Sequence, residues 1–82
     1  MREVTLDEIA EIFGEVIDVS AIEMASSAVL GEDIPVNSSE MLRILSRIQG
    51  RYRFRFDPRE ILSLRTLGDL VETVRRRTNA PH

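Results

Sequence analysis

The chain has 82 residues with no cysteine and one histidine, enough for a single small core but excluding a disulfide framework, thiolate metal sites and a thiol nucleophile. No stretch approaches the length of an apolar membrane span, and M-R-E-V-T-L-D-E-I puts acids where a secretory signal needs an apolar run, so a soluble, cytoplasmic chain without membrane insertion is expected. The net charge of −3 hides an asymmetry: residues 1–41 hold ten Asp or Glu against Arg2, and residues 42–82 hold four acids against ten arginines, near −9 and +6. All eleven cations are arginine, whose planar fork suits defined contacts to carboxylate or phosphate. The two halves are set to attract each other within the fold, or to select a partner.

Thr5 caps a first helix with Glu8 at its third position, and Leu6, Ile9, Ile12, Phe13, Val16 and Ile17 recur at helical spacing. Asp7, Glu8, Glu11 and Glu15 form its opposite face, and the helix is expected over about 5–18. From Val19 to Val36 the periodicity breaks, punctuated by Ser20, Ser26, Ser27, Gly31 and Pro35, while Ile22, Met24, Val29, Leu30 and Ile34 remain as apolar anchors. A loop of that length in a small domain is functional or packed down.

N-S-S-E-M-L-R-I-L then opens a second helix, expected over 38–49 and ended by Gly50. Asn37 is its cap, Glu40 completes a capping box, and Met41, Leu42, Leu45 and Ile48 supply an apolar face. R-Y-R-F-R-F, Arg51 to Phe56, alternates cation and aromatic as a strand would, but it has no second strand to pair with. It reads as an extended linker with Tyr52, Phe54 and Phe56 turned inward. The basic aromatic pattern also fits a single-stranded nucleic-acid platform, which the acidic total charge disfavours, so no nucleic-acid partner is expected.

Asp57-Pro58 starts a short helix over 58–63, and Thr66 with Asp69 caps a last one over 66–77, with Leu67, Leu70, Val71 and Val74 facing inward. Arg75, Arg76 and Arg77 complement its C-terminus, and 78–82 reads as a disordered tail. The expected architecture is all-α over a single domain, 1–82: a small bundle of three main helices and one short helix with a long first loop. Its expected core joins Leu6, Ile9, Phe13, Leu42, Leu45, Ile48, Leu67, Leu70 and Val74, closed by Tyr52 and Phe56, with Ile34 pinning the loop.

Catalytic chemistry is sparse. His82 is the only histidine and sits in a polar tail, so a Ser-His-Asp arrangement lacks its central member, and no glycine-rich phosphate loop is present. The carboxylate pairs Asp7/Glu8, Glu11/Glu15 and Glu32/Asp33 read as a solvated face. The chain is not expected to be an enzyme, and its function must come from binding or from something attached.

An acidic first helix with Phe13-Gly14-Glu15, a long loop, a serine opening the second helix and a closing T-L-G-D-L-V-E-T-V, Thr66 to Val74, together make the sequence resemble the acyl carrier protein family from Thr5 to about Arg76. The family's Asp-Ser-Leu signature falls on Asn37-Ser38-Ser39, and counting back from Tyr52, the match for the family's aromatic after its second helix, selects Ser38 over Ser39. The resemblance implies an acyl-carrier-like bundle in which Ser38 is esterified with 4′-phosphopantetheine, whose thiol holds an acyl group as a thioester. It implies as partners a phosphopantetheinyl transferase and acyl-loading and acyl-transfer enzymes of fatty acid, lipid or related biosynthesis, and a monomeric chain. A phosphodiester there meets the unpaired N–H groups and positive end of a helix.

Three departures mark an atypical member. Asn37 replaces the signature aspartate, and Ser39 replaces an exposed leucine that helps dock partners. Arg43, Arg47 and Arg51 step along the second helix at i, i+4 spacing, where ordinary family members present acids to basic enzyme surfaces. A specialised carrier with its own loading and transfer enzymes is the expectation. A peptidyl or aminoacyl carrier fits the same residues, as does an unmodified helical interaction module that keeps the fold without the cofactor.

Overall fold

Each helix begins where a side-chain oxygen can take a first-turn N–H. In α1 (Leu6–Gly14) the Thr5 hydroxyl accepts from the Glu8 N–H at 3.2 Å. In α2 (Ser38–Tyr52) Asn37 Oδ1 accepts from the Glu40 N–H at 2.7 Å, and Glu40 Oε1 accepts from the Asn37 N–H at 2.9 Å, closing the capping box. Asp57 and Glu60 repeat that exchange at α3 (Pro58–Ser63), with Pro58 in the first turn. Thr66 Oγ1 accepts from the Asp69 N–H at 3.1 Å at the start of α4 (Leu67–Asn79). The Asp69 carboxylate takes the N–H groups of Thr66 and Arg65 in return, and these bonds hold its carboxyl below the ordinary value.

The computed structural model describes residues 3–79. Over that span it is all-α, three main helices and one short one with a long first loop, as expected. Among the described residues there is no strand; the sheet-like pairing is limited to isolated bridges of Val29 with Thr66 and Leu30 with Ile34. No helix there is long and apolar enough to cross a membrane.

Three boundaries differ from the sequence reading. α1 stops at Gly14 rather than near Asp18. Bonds from the Glu15 N–H to Ile12 O and from the Val16 N–H to Phe13 O tighten its last turn. Asp18 then takes both the N–H and the hydroxyl of Ser20, at 3.0 and 2.7 Å, a local turn that competes with further helix. The Ser20 N–H also lowers the Asp18 pKa. α2 passes through Gly50 and reaches Tyr52, where Arg53 adopts a left-handed conformation, φ 57° and ψ 55°, and its N–H closes on Gln49 O. Arg51 and Tyr52 are therefore helical, not part of an extended linker. α4 continues through Thr78, whose hydroxyl donates to Val74 O at 2.8 Å, so the tail does not fray there. The rest of that expected tail, residues 80–82 with His82, lies outside the described residues.

α1 packs on both α2 and α4. Ile9, Ile12 and Phe13 meet Ile44 and Ile48 of α2, Leu67, Leu70 and Val74 of α4, and Ile34 of the loop, all fully buried. Leu45 and Phe56 are buried as expected, whereas Leu6 and Tyr52 are only half-buried at the margin. Leu42 is the clear correction: it is 63% exposed, and Ile44 takes the core place assigned to it. At about 100° per residue, Met41, Ile44, Leu45 and Ile48 fall on one arc of about 100°, and Leu42 lies roughly 60° outside it. Tyr52, one turn past Ile48, completes the arc, and its hydroxyl donates to Glu8 Oε2 of α1 at 2.9 Å. Burial, first, and the Glu8 carboxylate beside it raise the Tyr52 pKa.

The long loop is bound down by backbone. Leu67 N–H donates to Ala28 O at 2.9 Å, Gly68 N–H to Ser26 O at 2.9 Å, and Leu30 N–H to Arg65 O at 2.9 Å. These bonds stitch the loop to the start of α4, using N–H groups that a helix cannot satisfy itself. Gly68 is needed for that approach, because a Cβ would lie 2.9 Å from Ser26 O and 3.2 Å from Ser26 Cβ. A second constraint is Gly31 at φ +89°, a region glycine enters without strain. Its N–H reaches Ile34 O at 2.8 Å, and Asp33 Oδ2 accepts from the Val29 N–H at 2.8 Å.

Gly68→Ala is expected to lose about 1–3 kcal/mol, because backbone and not a movable side chain blocks the added methyl. Urea denaturation of the variant measures it. In the same assay Leu45→Ala should cost about 2–5 kcal/mol and Leu42→Ala no more than about 0.5 kcal/mol. Equal losses at the two leucines would contradict the face described for α2.

Candidate functional site

The start of α2, the loop and α3 meet around Ser38. Ser38 is the first residue of α2, next to the Asn37 cap, and is exposed. Of the first-turn N–H groups, that of Glu40 is taken by Asn37 Oδ1 and that of Met41 by Asn37 O at 2.9 Å. Among the described residues those of Ser38 and Ser39 have no acceptor, which leaves two donors and the positive end of a 15-residue helix beside the Ser38 hydroxyl.

A cleft of about 230 Å³ opens at this point, with Ser38, Asn37 and Gly31 at its polar end. Leu30 and Val36 of the loop, Met41 and Leu45 of α2, and Ile61 and Leu64 of α3 form its apolar wall. The loop reaches this place because its backbone is bonded to Arg65 through Leu30, and α3 reaches it because the Asp57 cap restarts the helix directly after the linker. Ser39 is exposed and does not line the cleft, so the two adjacent serines have different surroundings.

The arginine row divides. Arg47 Nη1 lies 3.2 Å from Glu15 Oε1 and Arg51 Nη2 lies 3.1 Å from Glu15 Oε2, so one carboxylate at the end of α1 bridges two successive turns of α2. Among the described residues Arg43 has no carboxylate partner. Linker and α4 charges also engage locally: Arg77 pairs with Glu60 at 2.7 Å and stacks over the Phe54 ring at 5.6 Å, while Phe54 meets Phe56 edge-on at 4.8 Å.

The carboxylate pairs do not converge. Glu8 holds Tyr52, Glu15 holds two arginines, and Asp33 serves a loop N–H. Among the described residues no group of three His, Cys, Asp or Glu side chains is arranged to hold a metal. A second, polar depression of about 390 Å³ is lined by Glu23, Ala25, Ser27, Ala28 and Asp33, none of them near-neighbours of Ser38 in the chain. The sequence reading missed the cleft wall because its members come from three elements. Pairing of the arginine row with the acidic first helix was one of the two readings open from the sequence, and Glu15 is the carboxylate that takes Arg47 and Arg51.

A family model described as phosphopantetheine attachment site matches residues 7–74 of the chain. No match is found among curated proteins or among solved structures.

Glu15→Gln is expected to lower stability by no more than about 1 kcal/mol at low salt, because both ion pairs are solvent-exposed. The loss should shrink as ionic strength rises. Thermal melts at two salt concentrations test it; a loss that does not respond to salt would mean Glu15 acts through packing.

Proposed function

The chain belongs to the phosphopantetheine attachment site family, whose domains carry 4′-phosphopantetheine covalently, and on that premise we propose that Ser38 is the attached residue. The observation that carries the assignment is the difference between the two serines: Ser38 lines the apolar cleft at the tip of α2, and Ser39 does not. The local chemistry suits the group. The free N–H groups of Ser38 and Ser39 and the helix dipole favour a phosphodiester on the Ser38 oxygen, and the neutral Asn37 cap adds no charge to repel it.

When bound, the arm supplies a terminal thiol that holds cargo as a thioester, and a chain without cysteine has no thiol of its own to compete for that cargo. The role of this chain's residues is to bind and present. Asn37 and Glu40 fix the start of α2 so that the Ser38 oxygen points from a rigid element. Leu30, Val36, Met41, Leu45, Ile61 and Leu64 offer apolar surface next to the attachment point. That surface favours acyl cargo of fatty acid, lipid or related biosynthesis over a polar aminoacyl group.

Partners in this reading are a phosphopantetheinyl transferase and acyl-loading and acyl-transfer enzymes, which supply the catalytic groups to a monomeric, cytoplasmic carrier. Ser39 and the row Arg43, Arg47 and Arg51 lie on the exposed side of α2, and a basic face there disfavours enzymes that present basic docking surfaces. The carrier is thus a specialised one.

Coexpression with a broad-specificity phosphopantetheinyl transferase should add one phosphopantetheine mass to the protein. Ser38→Ala should abolish the gain and Ser39→Ala should leave it intact. The reverse pattern would move the site to Ser39, and an unchanged wild-type mass with several transferases would leave an unmodified helical interaction module.

A further inference from the structure

α3 is a short helix with little burial to hold it. None of its residues is buried, and Ile61, with Leu64 just past its end, forms its side of the cleft beside Ser38. Its C-terminal end is fixed to the start of α4: Arg65 O takes the Leu30 N–H, and Asp69 takes the N–H groups of Arg65 and Thr66. Its N-terminal end is held differently. Arg77 of α4 places Nη1 2.7 Å from Glu60 Oε1, and among the described residues this is the one ion pair of α3 and its one side-chain bond to another helix. The same Oε1 accepts from the Asp57 N–H at 2.8 Å, so the carboxylate that starts α3 also ties it to α4. The Arg77 guanidinium lies over the Phe54 ring at 5.6 Å, and Phe54 packs edge-on against Phe56, whose N–H donates to Gln49 Oε1 of α2 at 2.9 Å. The linker thus braces Arg77 while Arg77 holds α3.

We propose that Arg77 is a positioning residue for the Ser38 cleft: its pairing with Glu60 keeps the N-terminal end of α3 down on α4, so that Ile61 and Leu64 stay over an apolar chain lying in the cleft. The inference rests on the attachment reading for Ser38, which supplies the cargo. Only the α3 wall is free to move. The opposite wall, Met41 and Leu45, belongs to α2, whose Ile44 and Ile48 are fully buried against the core. The side chains of Arg77 and Glu60 are 37% and 21% exposed, so their pairing is modest, and the contact with Phe54 adds to it. A hold of that size breaks and reforms readily. α3 rests closed, and salt or a carboxylate that competes for Arg77 releases it about the fixed segment 64–66.

The test loads Ser38 with an acetyl- or an octanoyl-phosphopantetheine arm, using a broad-specificity transferase, and follows release of each acyl group by hydroxylamine. Wild type should release octanoyl more slowly than acetyl. Arg77→Gln should speed octanoyl release roughly three- to tenfold at low salt and leave acetyl release unchanged. Glu60→Gln keeps the acceptor for the Asp57 N–H and removes the charge, so it should match Arg77→Gln, and the double variant should add nothing to either. Arg77→Lys should retain most of the protection, and high salt should bring wild type toward the variants. Hydrogen exchange in the unmodified proteins reads α3 without cargo: the amides of Glu60, Ile61 and Leu64 should exchange roughly three- to tenfold faster in Arg77→Gln. Unchanged exchange there overturns the hold on α3 whatever happens at Ser38. If wild type takes no arm from any transferase, the attachment reading falls and the role at the cleft falls with it, even where exchange changes as expected. Octanoyl released from wild type as fast as acetyl also overturns the proposal, since the cleft then covers no cargo. So does equal acceleration of both acyl groups, or a urea midpoint for Arg77→Gln lowered as far as that of Leu45→Ala, either of which makes Arg77 a residue of general stability.

Discussion

Everything around Ser38 depends on the backbone bonds that tie the loop to the start of α4. A stretch from Val19 to Asn37 has too few apolar side chains in regular spacing to hold itself, and its peptide groups need partners once it is packed. The N-terminus of α4 supplies them. Leu67 and Gly68 donate to Ala28 and Ser26, and Arg65 accepts from Leu30, so helix donors without internal partners become the loop's anchor. Gly68 allows the close approach, and Gly31 then reverses the chain so that Ile34 enters the core and Val36 and Asn37 arrive at the head of α2. The cap of the helix that bears Ser38 is thus positioned by a contact far away in sequence.

α2 uses its circumference for separate purposes. Ile44 and Ile48 hold α1, and Met41 and Leu45 wall the cleft with α3. Leu42, Arg43 and Arg47 are left to solvent. The division follows from 3.6 residues per turn applied to a run with five apolar residues within eight positions, more than one buried arc can take. The surplus leucine emerges next to the attachment end of the helix. The same helix therefore joins the core, the proposed arm site and the exposed arginine row through one rigid element, which keeps their spacing constant.

The charge asymmetry has a double use. Glu15 draws Arg47 and Arg51 onto the end of α1, and Arg77 reaches Glu60, so part of the opposition between the halves is satisfied within the molecule. Each pair is exposed and weak, and the core does not depend on them. What they fix is orientation: two arginines of the row are held toward α1, and Arg43, nearer Ser38, is not.

The sequence by itself determined the local features. The caps at Thr5, Asn37, Asp57 and Thr66 and the all-α class were legible because a cap and its partner lie within four residues, and no distant group is required for the bond. The tertiary structure alone decided whatever depends on a neighbour. Whether Leu42 or Ile44 entered the core could not be read from period alone, since either fits a helical stripe until α1 is set against it. Gly50 looked like a stop, yet α2 continues because Tyr52 lands on the core arc and its hydroxyl meets Glu8 across the helix pair. α1 ended early because Asp18 found Ser20, a turn competing with the helix by a margin that propensity does not resolve. The cleft beside Ser38 exists only where the loop, α2 and α3 converge, and its apolar wall is a property of their packing rather than of any segment.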